Sequence, residues 1–151
     1  MSIEIKLVSH TNSSLHGLIA KLDHYLKEIY PIEEIHFVDF NDPSVEEITF
    51  AVAYEGEVPV GCGALRPYDQ EITELKRFFV DPAYRNRGIA SQILAFLEQH
   101  AKETGYDIVR LETGAPQHEA IGLYAKYGYY PIEPFGEYID TKSSLCFEKK
   151  I

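Results

Sequence analysis

The 151-residue sequence predicts a mixed α/β fold, one twisted sheet of about six or seven strands with helices on both faces. Three observations carry this. An extended apolar run, Ile72 to Val80, stops at Asp81-Pro82, and Ile89, Ile93, Leu94 and Leu97 then recur at helical spacing, so a strand feeds a helix through a short turn. Strand-like and helix-like segments alternate through the middle of the chain, while pairs of strands lie at either side. The length suits one well-buried domain and is short for two, so residues 1–151 are expected to form a single domain.

The elements follow in order. Ile3, Ile5 and Leu7 alternate with polar residues and predict a first strand with one face buried. Thr11 to Ser14 offers helix caps. Leu15, Leu18, Ile19, Leu22, Tyr25, Leu26 and Ile29 then mark the core face of an amphipathic helix that stops before Pro31. Residues 31–47 mix apolar and acidic positions around Asn41-Asp42-Pro43 and read as a loop with one short helical turn. Thr49 to Tyr54 and Val58 to Leu65 flank Glu55-Gly56-Glu57 as a hairpin, and Gly61 and Gly63 signal a bulge or a close backbone approach. Tyr68 to Glu71 is a polar turn into the strand Ile72 to Val80, and the following helix ends near Gly105. Asp107 to Glu112 is a short buried strand broken by Thr113-Gly114-Ala115-Pro116. A further helix runs from Gln117 to Tyr127 with Gly128 as its cap, and Tyr129 to Ile132 and Ser144 to Glu148 close the sheet.

Composition excludes several classes of function. A formal net charge of −10 argues against sequence-independent binding to nucleic acid or to an anionic membrane. Most of the imbalance lies between Glu28 and Leu65, which holds nine acids and no Lys or Arg, either a solvated face or an attractor for cations. No apolar run is long enough for a membrane span and the N-terminus lacks the apolar core of a signal peptide, so the chain is expected in the cytoplasm. Cys62 and Cys146 sit in apolar runs and read as buried thiols. The six histidines show no metal-ligand spacing, and no metal is expected.

The turn Arg85 to Gly88 carries the chemistry. It opens a helix whose first N–H groups lack intrahelical partners and sit at the positive end of the helix dipole, a place suited to a phosphate. Gly88 cannot block a ligand, Asn86 tolerates a positive φ, and Arg85 and Arg87 add charge. Arg85, Gly88 and Ala90, preceded by Val80-Asp81-Pro82, resemble motif A (R/Q-x-x-G-x-G/A) of the GNAT acetyltransferase superfamily, with Asn where Gly is frequent at 86 and Ala for the last Gly. The resemblance covers roughly Thr49 to Glu148 and implies that the amides of Asn86 to Ser91 (Asn86, Arg87, Gly88, Ile89, Ala90, Ser91), with Arg85, hold the pyrophosphate of acetyl-CoA. It further implies two splayed central parallel strands, with the backbone of Phe78, Phe79 and Val80 holding the pantetheine amides and the thioester oxygen.

The segment A-x-x-L-Y-x-x-x-G-Y (Ala120, Leu123, Tyr124, Gly128, Tyr129) resembles motif B of the same family, in which the tyrosine matching Tyr124 protonates the departing thiolate. A phenol suits this, being neutral at pH 7 with a reference pKa of about 10. Gln117 stands where the family often has Asn and is carried over as a cofactor contact. Glu74 occupies the spacing at which some members carry a glutamate base, and equally could pair with Arg66, Lys76 or Arg77. The acidic segment and the loop Pro134 to Tyr138 are expected to hold the acceptor, with Arg66, Lys76 and Tyr138 as its contacts.

The expected activity is acetyl transfer from acetyl-CoA to the amine of a small molecule, amino-acid-like acceptors included. A coenzyme A-binding regulatory module and a protein or peptide N-acetyltransferase stay open as alternatives, as does a homodimer. A P-loop or dinucleotide-binding domain is disfavoured because neither a P-loop lysine nor G-x-G-x-x-G is present.

Overall fold

In the computed structural model, which describes residues 2–114 and 116–151, seven strands join in one sheet. In chain order they are β1 (Ile3–Val8), β2 (Thr49–Glu55), β3 (Val58–Pro67), β4 (Ile72–Val80), β5 (Ile108–Gly114), β6 (Tyr130–Ile132) and β7 (Ser144–Lys150), with helices α1 (Ser13–Ile29), α2 (Ile89–Glu103) and α3 (His118–Lys126). The spatial order is β1-β2-β3-β4-β5-β7-β6, and β7 therefore inserts between β5 and β6. All pairings are antiparallel except β4 with β5, which α2 joins as a crossover.

Two apolar layers hold the helices to the sheet. Ile89, Ile93, Leu94, Leu97 and Ala101 of α2 pack with Val60, Leu75, Val109 and Leu111 on one face, joined by Tyr124 of α3. Leu15, Leu18, Ile19 and Leu22 of α1 pack with Phe50, Val52, Cys62 and Phe79 on the other. Each such side chain removed from water contributes about 1.5–3 kcal/mol before entropy is counted. Asn12 caps α1, its side-chain oxygen accepting the N–H of Leu15 at 2.9 Å. Gly61 lets α2 and β4 approach closely, since a Cβ there would lie 2.8 Å from Ile93 Cδ1 and 2.9 Å from the backbone oxygen of Phe79. Both cysteines are buried and free, and burial pushes the Cys62 thiol up to about 12.

Several expectations are corrected. Leu7 is 49% exposed, because the α2 layer reaches only Ile3 and Ile5 of that edge strand. Ile29, at the last turn of α1, is exposed. Residues 31–47 contain two short helical turns, Ile32–Glu34 and Pro43–Glu47, rather than one. Thr113 and Gly114 do not break β5 but extend it, paired to Leu145 and Ser144 of β7, and Ala115 of the expected turn lies outside the described residues. Among the described residues no helix is long and apolar enough to cross a membrane.

The feature that positions the site is a split. β4 and β5 share a ladder only from Ile72↔Ile108 to Leu75↔Leu111, and beyond it β4 continues to Val80 while β5 continues to Gly114 on β7 alone. A bulge on β4 accompanies the divergence: Cys62 pairs with Phe79 but Ala64 with Lys76, and Arg77 between them has φ 52. A residue in this left-handed conformation turns Arg77 to the same face as Lys76, where it meets Asp23 of α1.

Candidate active site

Past Leu75 the edge of β4 facing β5 has no strand partner, so its backbone groups look into the split. At the end of the strand the chain turns through Asn86 (φ 64) and Gly88 (φ 77), and Gly88 caps α2 without any side-chain hydrogen bond. Among the described residues no backbone acceptor takes the N–H of Asn86, Arg87, Gly88, Ile89, Ala90 or Ser91, and Gln92 is the first whose N–H is used, by Gly88 O at 3.2 Å. Asn86, Gly88, Ile89, Ala90 and Ser91 edge a cleft of about 640 Å³ that Phe78, Phe79, Val80, Arg85, Gln117 and Ala120 also line. Arg85 is fixed there by its Nε–H donating to Val80 O at 3.2 Å and by Tyr25 beneath its guanidinium. The side chain of Arg87 is elsewhere: it faces Glu55 at 3.4 Å and covers Tyr84, outside the cleft.

A second, smaller pocket of about 120 Å³ occupies the split itself, between β4, β5 and the end of α1. Leu22, Phe78, Gln117 and Ala120 line both spaces, so the two meet at that throat. Gln117 is held in it: its Oε1 accepts the Tyr30 hydroxyl and the Gly114 N–H, each at 3.1 Å. Gly114 must be glycine, because a Cβ would coincide with the Tyr30 hydroxyl. Burial, with the charge of Glu112, pushes the Tyr30 phenol up to about 12.

Tyr124 lines the smaller pocket just beyond the throat, 4% exposed, its ring 6.0 Å from that of Phe78. Among the described residues its hydroxyl has no hydrogen-bond partner, and burial and then Glu112 raise its pKa, so it stays a neutral phenol able to donate. The Thr113 hydroxyl, also at the pocket wall, is buried without a partner.

The other expected residues form a closed charge network. Glu74 is 1% exposed and does not line the pocket; one oxygen accepts Arg66 at 2.8 Å and the other accepts the Tyr138 hydroxyl. Lys76 donates to the Tyr138 oxygen at 2.9 Å and lies 3.9 Å from Glu74 and 3.7 Å from Glu137. Arg66 reaches Glu137 as well, at 2.7 Å, and His36 joins Glu137 to Thr141. Burial lowers the Lys76 pKa, although Glu74 opposes it. Both Glu74 oxygens are thus engaged, by Arg66 and by Tyr138, as in the pairing that the sequence left open beside the role of a base. Arg66, expected to bind the acceptor, is likewise spent on Glu74 and Glu137 and lies off the pocket wall, whereas Lys76 and Tyr138 do line it.

Of the nine acids from Glu28 to Leu65, Glu34 alone lines the pocket, and the segment is chiefly a solvated face. The structure adds Tyr30, His36 and Glu112 to the pocket. Glu112 had a usable signal: it ends the predicted strand after the one that located Val80, and ligands gather beyond the C-terminal ends of such parallel strands.

Comparison with known proteins agrees with this arrangement. The model of the acetyltransferase (GNAT) family matches residues 16–129. An IAA acetyltransferase of Azospirillum brasilense is 38% identical over 136 residues, 89% of this chain and 88% of that protein. A solved structure from Klebsiella pneumoniae subsp. pneumoniae is 28% identical and superposes with a TM-score of 0.83 over 98% of this chain and 97% of its own. The PaiA N-acetyltransferase of Thermoplasma acidophilum, solved in complex with coenzyme A, is 23% identical, shares the fold at a TM-score of 0.75, and is covered over the whole length of both chains. With split strands, an open amide turn and a matched family model over most of its length, the chain belongs to the acetyltransferase (GNAT) family and is an N-acetyltransferase.

Proposed function

We propose that this enzyme transfers the acetyl group of acetyl-CoA to the amine of a small molecule. The observation that carries the reading is the junction at Leu22, Phe78, Gln117 and Ala120, where the larger cleft opens into the small pocket holding Tyr124. In this reading the amides of Asn86 to Ser91 and Arg85 take the diphosphate, and the free edge of β4 from Phe78 to Val80 takes the pantetheine arm. The thioester then lies at the throat, and Tyr124 donates its proton to the sulfur as the C–S bond breaks.

The acceptor enters from the side of Tyr30, His36 and Tyr138. A pocket of about 120 Å³ admits the amine-bearing arm of an acceptor, and we take that acceptor to be a small molecule, with a peptide as the alternative that the test below decides. With Arg66 and Arg77 already paired, the charge free to meet a ligand is negative, which favours a cationic amine over an acceptor held by its carboxylate.

The test is thiol release from acetyl-CoA across a panel of primary amines, amino acids and a peptide, with IAA added because the Azospirillum brasilense relative bears that name. Turnover is expected with a small primary amine. Activity on the peptide alone would reverse the acceptor class, and coenzyme A binding without transfer to any acceptor would favour a regulatory module.

A further inference from the structure

Glu112 is the first β5 residue beyond the last ladder pair with β4, Leu75↔Leu111, and it therefore stands at the fork of the split. It lines the pocket with Tyr124, and it is the one carboxylate whose charge bears on that phenol. Its fixed contact is a hydroxyl: Ser144 Oγ of β7 donates to Glu112 Oε2 at 2.6 Å. Among the described residues no cation pairs with it. The nearby cations are already matched, since Arg66 and Lys76 offset Glu74 and Glu137, and Arg77 meets Asp23, while Glu34 on the pocket wall takes the Ser143 hydroxyl. A partly buried carboxylate left unmatched at the end of a pocket is costly until a cation arrives.

Resting on the N-acetyl transfer reading, we propose that Glu112 is a catalytic residue, the base that receives the acceptor's ammonium and removes its first proton. The step balances as follows. R–NH3+ gives one proton to the Glu112 carboxylate, and the freed lone pair forms the bond from nitrogen to the thioester carbonyl carbon. The C–S bond breaks with its electron pair on sulfur, which takes the Tyr124 proton. The second proton lost from nitrogen restores the phenol, and the proton on Glu112 passes to solvent, leaving an amide and a free thiol.

Burial holds the Glu112 carboxyl above the usual carboxylate range, while the Ser144 hydroxyl, His36 and Lys76 draw it down and Glu74 pushes it up. Tyr30 from the end of α1, Tyr138 and Cys146 also face it, all with pKa values raised by burial, so none is a competing anion near neutral pH. A base of this kind works only when ionised, so activity falls as pH falls through its pKa. The acid limb of the rate profile should therefore lie above the ordinary glutamate value of about 4.3.

The experiment measures kcat/KM against pH for the best primary amine of the panel, in wild type, Glu112→Gln and Ser144→Ala, with coenzyme A affinity by calorimetry and melting temperature for each. Glu112→Gln is expected to lose about 100-fold in kcat/KM and to lose the acid limb, with coenzyme A affinity kept. Ser144→Ala removes a donor that favours the carboxylate, so its limb is expected to move upward by about half a pH unit. A merely structural link between β5 and β7 would lower the melting temperature of both and leave the limb in place. An unmoved limb in both variants overturns the assignment, as does loss of the limb in Glu34→Gln, the other unpaired carboxylate on the pocket wall. Acetylation of amines by a Glu112→Gln enzyme with an intact limb sinks this inference alone. Failure of wild type to acetylate any amine sinks the transfer reading with it.

Discussion

The cleft at Asn86 to Ser91 and the pocket at Glu112 open into each other, yet they are built by opposite means. In the cleft the unpaired groups are backbone amides, freed by left-handed residues at Asn86 and Gly88 and by a strand edge without a partner. In the pocket they are side chains drawn from segments far apart in the chain: Tyr30, His36, Lys76, Glu112 and Tyr138. A site made of backbone suits a ligand that never changes, because side-chain substitution leaves its donors in place. A site made of side chains can be retuned to a new acceptor one residue at a time. The two halves should then fail separately when mutated.

The largest expected break is in the scaffold of the pocket. Glu74→Gln leaves Arg66 and Lys76 facing one carboxylate instead of two inside a buried network, which costs about 3 kcal/mol. For a chain of this size that lowers the melting temperature by roughly 6–12 °C in a calorimetric scan. An unchanged melting temperature would show that Glu74 is not the anchor of the network. Next comes Tyr124→Phe, which keeps the ring against Phe78 and removes only the proton donor. Its kcat should fall about 100-fold with coenzyme A affinity within about twofold. Loss of coenzyme A affinity instead would assign Tyr124 to the cleft rather than to the pocket.

The same division explains what the sequence made legible. The strand, turn and helix from Ile72 to Leu97 are local, and propensity, glycine and capping placed all three, down to the strand's first and last residues. Motif B placed Tyr124 for the same reason, a short helix with a fixed internal spacing. Glu74 could be located on its strand and given Arg66 and Lys76 as partners, but not Tyr138, which with Glu137 comes from the loop between β6 and β7, and β7 inserts between β5 and β6. Glu112 does not stand out in the sequence because Thr113-Gly114 looks like a strand end, whereas pairing with Ser144 and Leu145 carries β5 on, and Glu112 lines the pocket in the split. Tyr30 lies at the C-cap of a helix whose core face is plain from periodicity, and nothing in that pattern says that its hydroxyl crosses the gap to Gln117.

Two arginines two residues apart sharpen the comparison from the cleft side, and with smaller effects. Arg85 lines the cleft and is held in place by Val80 O and Tyr25, so Arg85→Ala should weaken coenzyme A binding about tenfold in calorimetry, or about 1.4 kcal/mol, while KM for the amine stays put. A shift in amine KM with coenzyme A affinity intact would contradict the split between the two halves.

Arg87 should be nearly silent. Its backbone N–H belongs to the amide turn, but its side chain points to Glu55 and is 54% exposed, where an ion pair is worth about 0–1 kcal/mol. Arg87→Ala keeps the amide and removes only the guanidinium, so coenzyme A affinity should change less than about twofold, at low salt and at high salt alike. If it falls as far as in Arg85→Ala and recovers with neither salt nor lysine, the side chain must swing from Glu55 into the cleft when the ligand arrives. Diphosphate recognition would then depend on side-chain charge at both positions, and the cleft would share the mutability assigned here to the pocket alone.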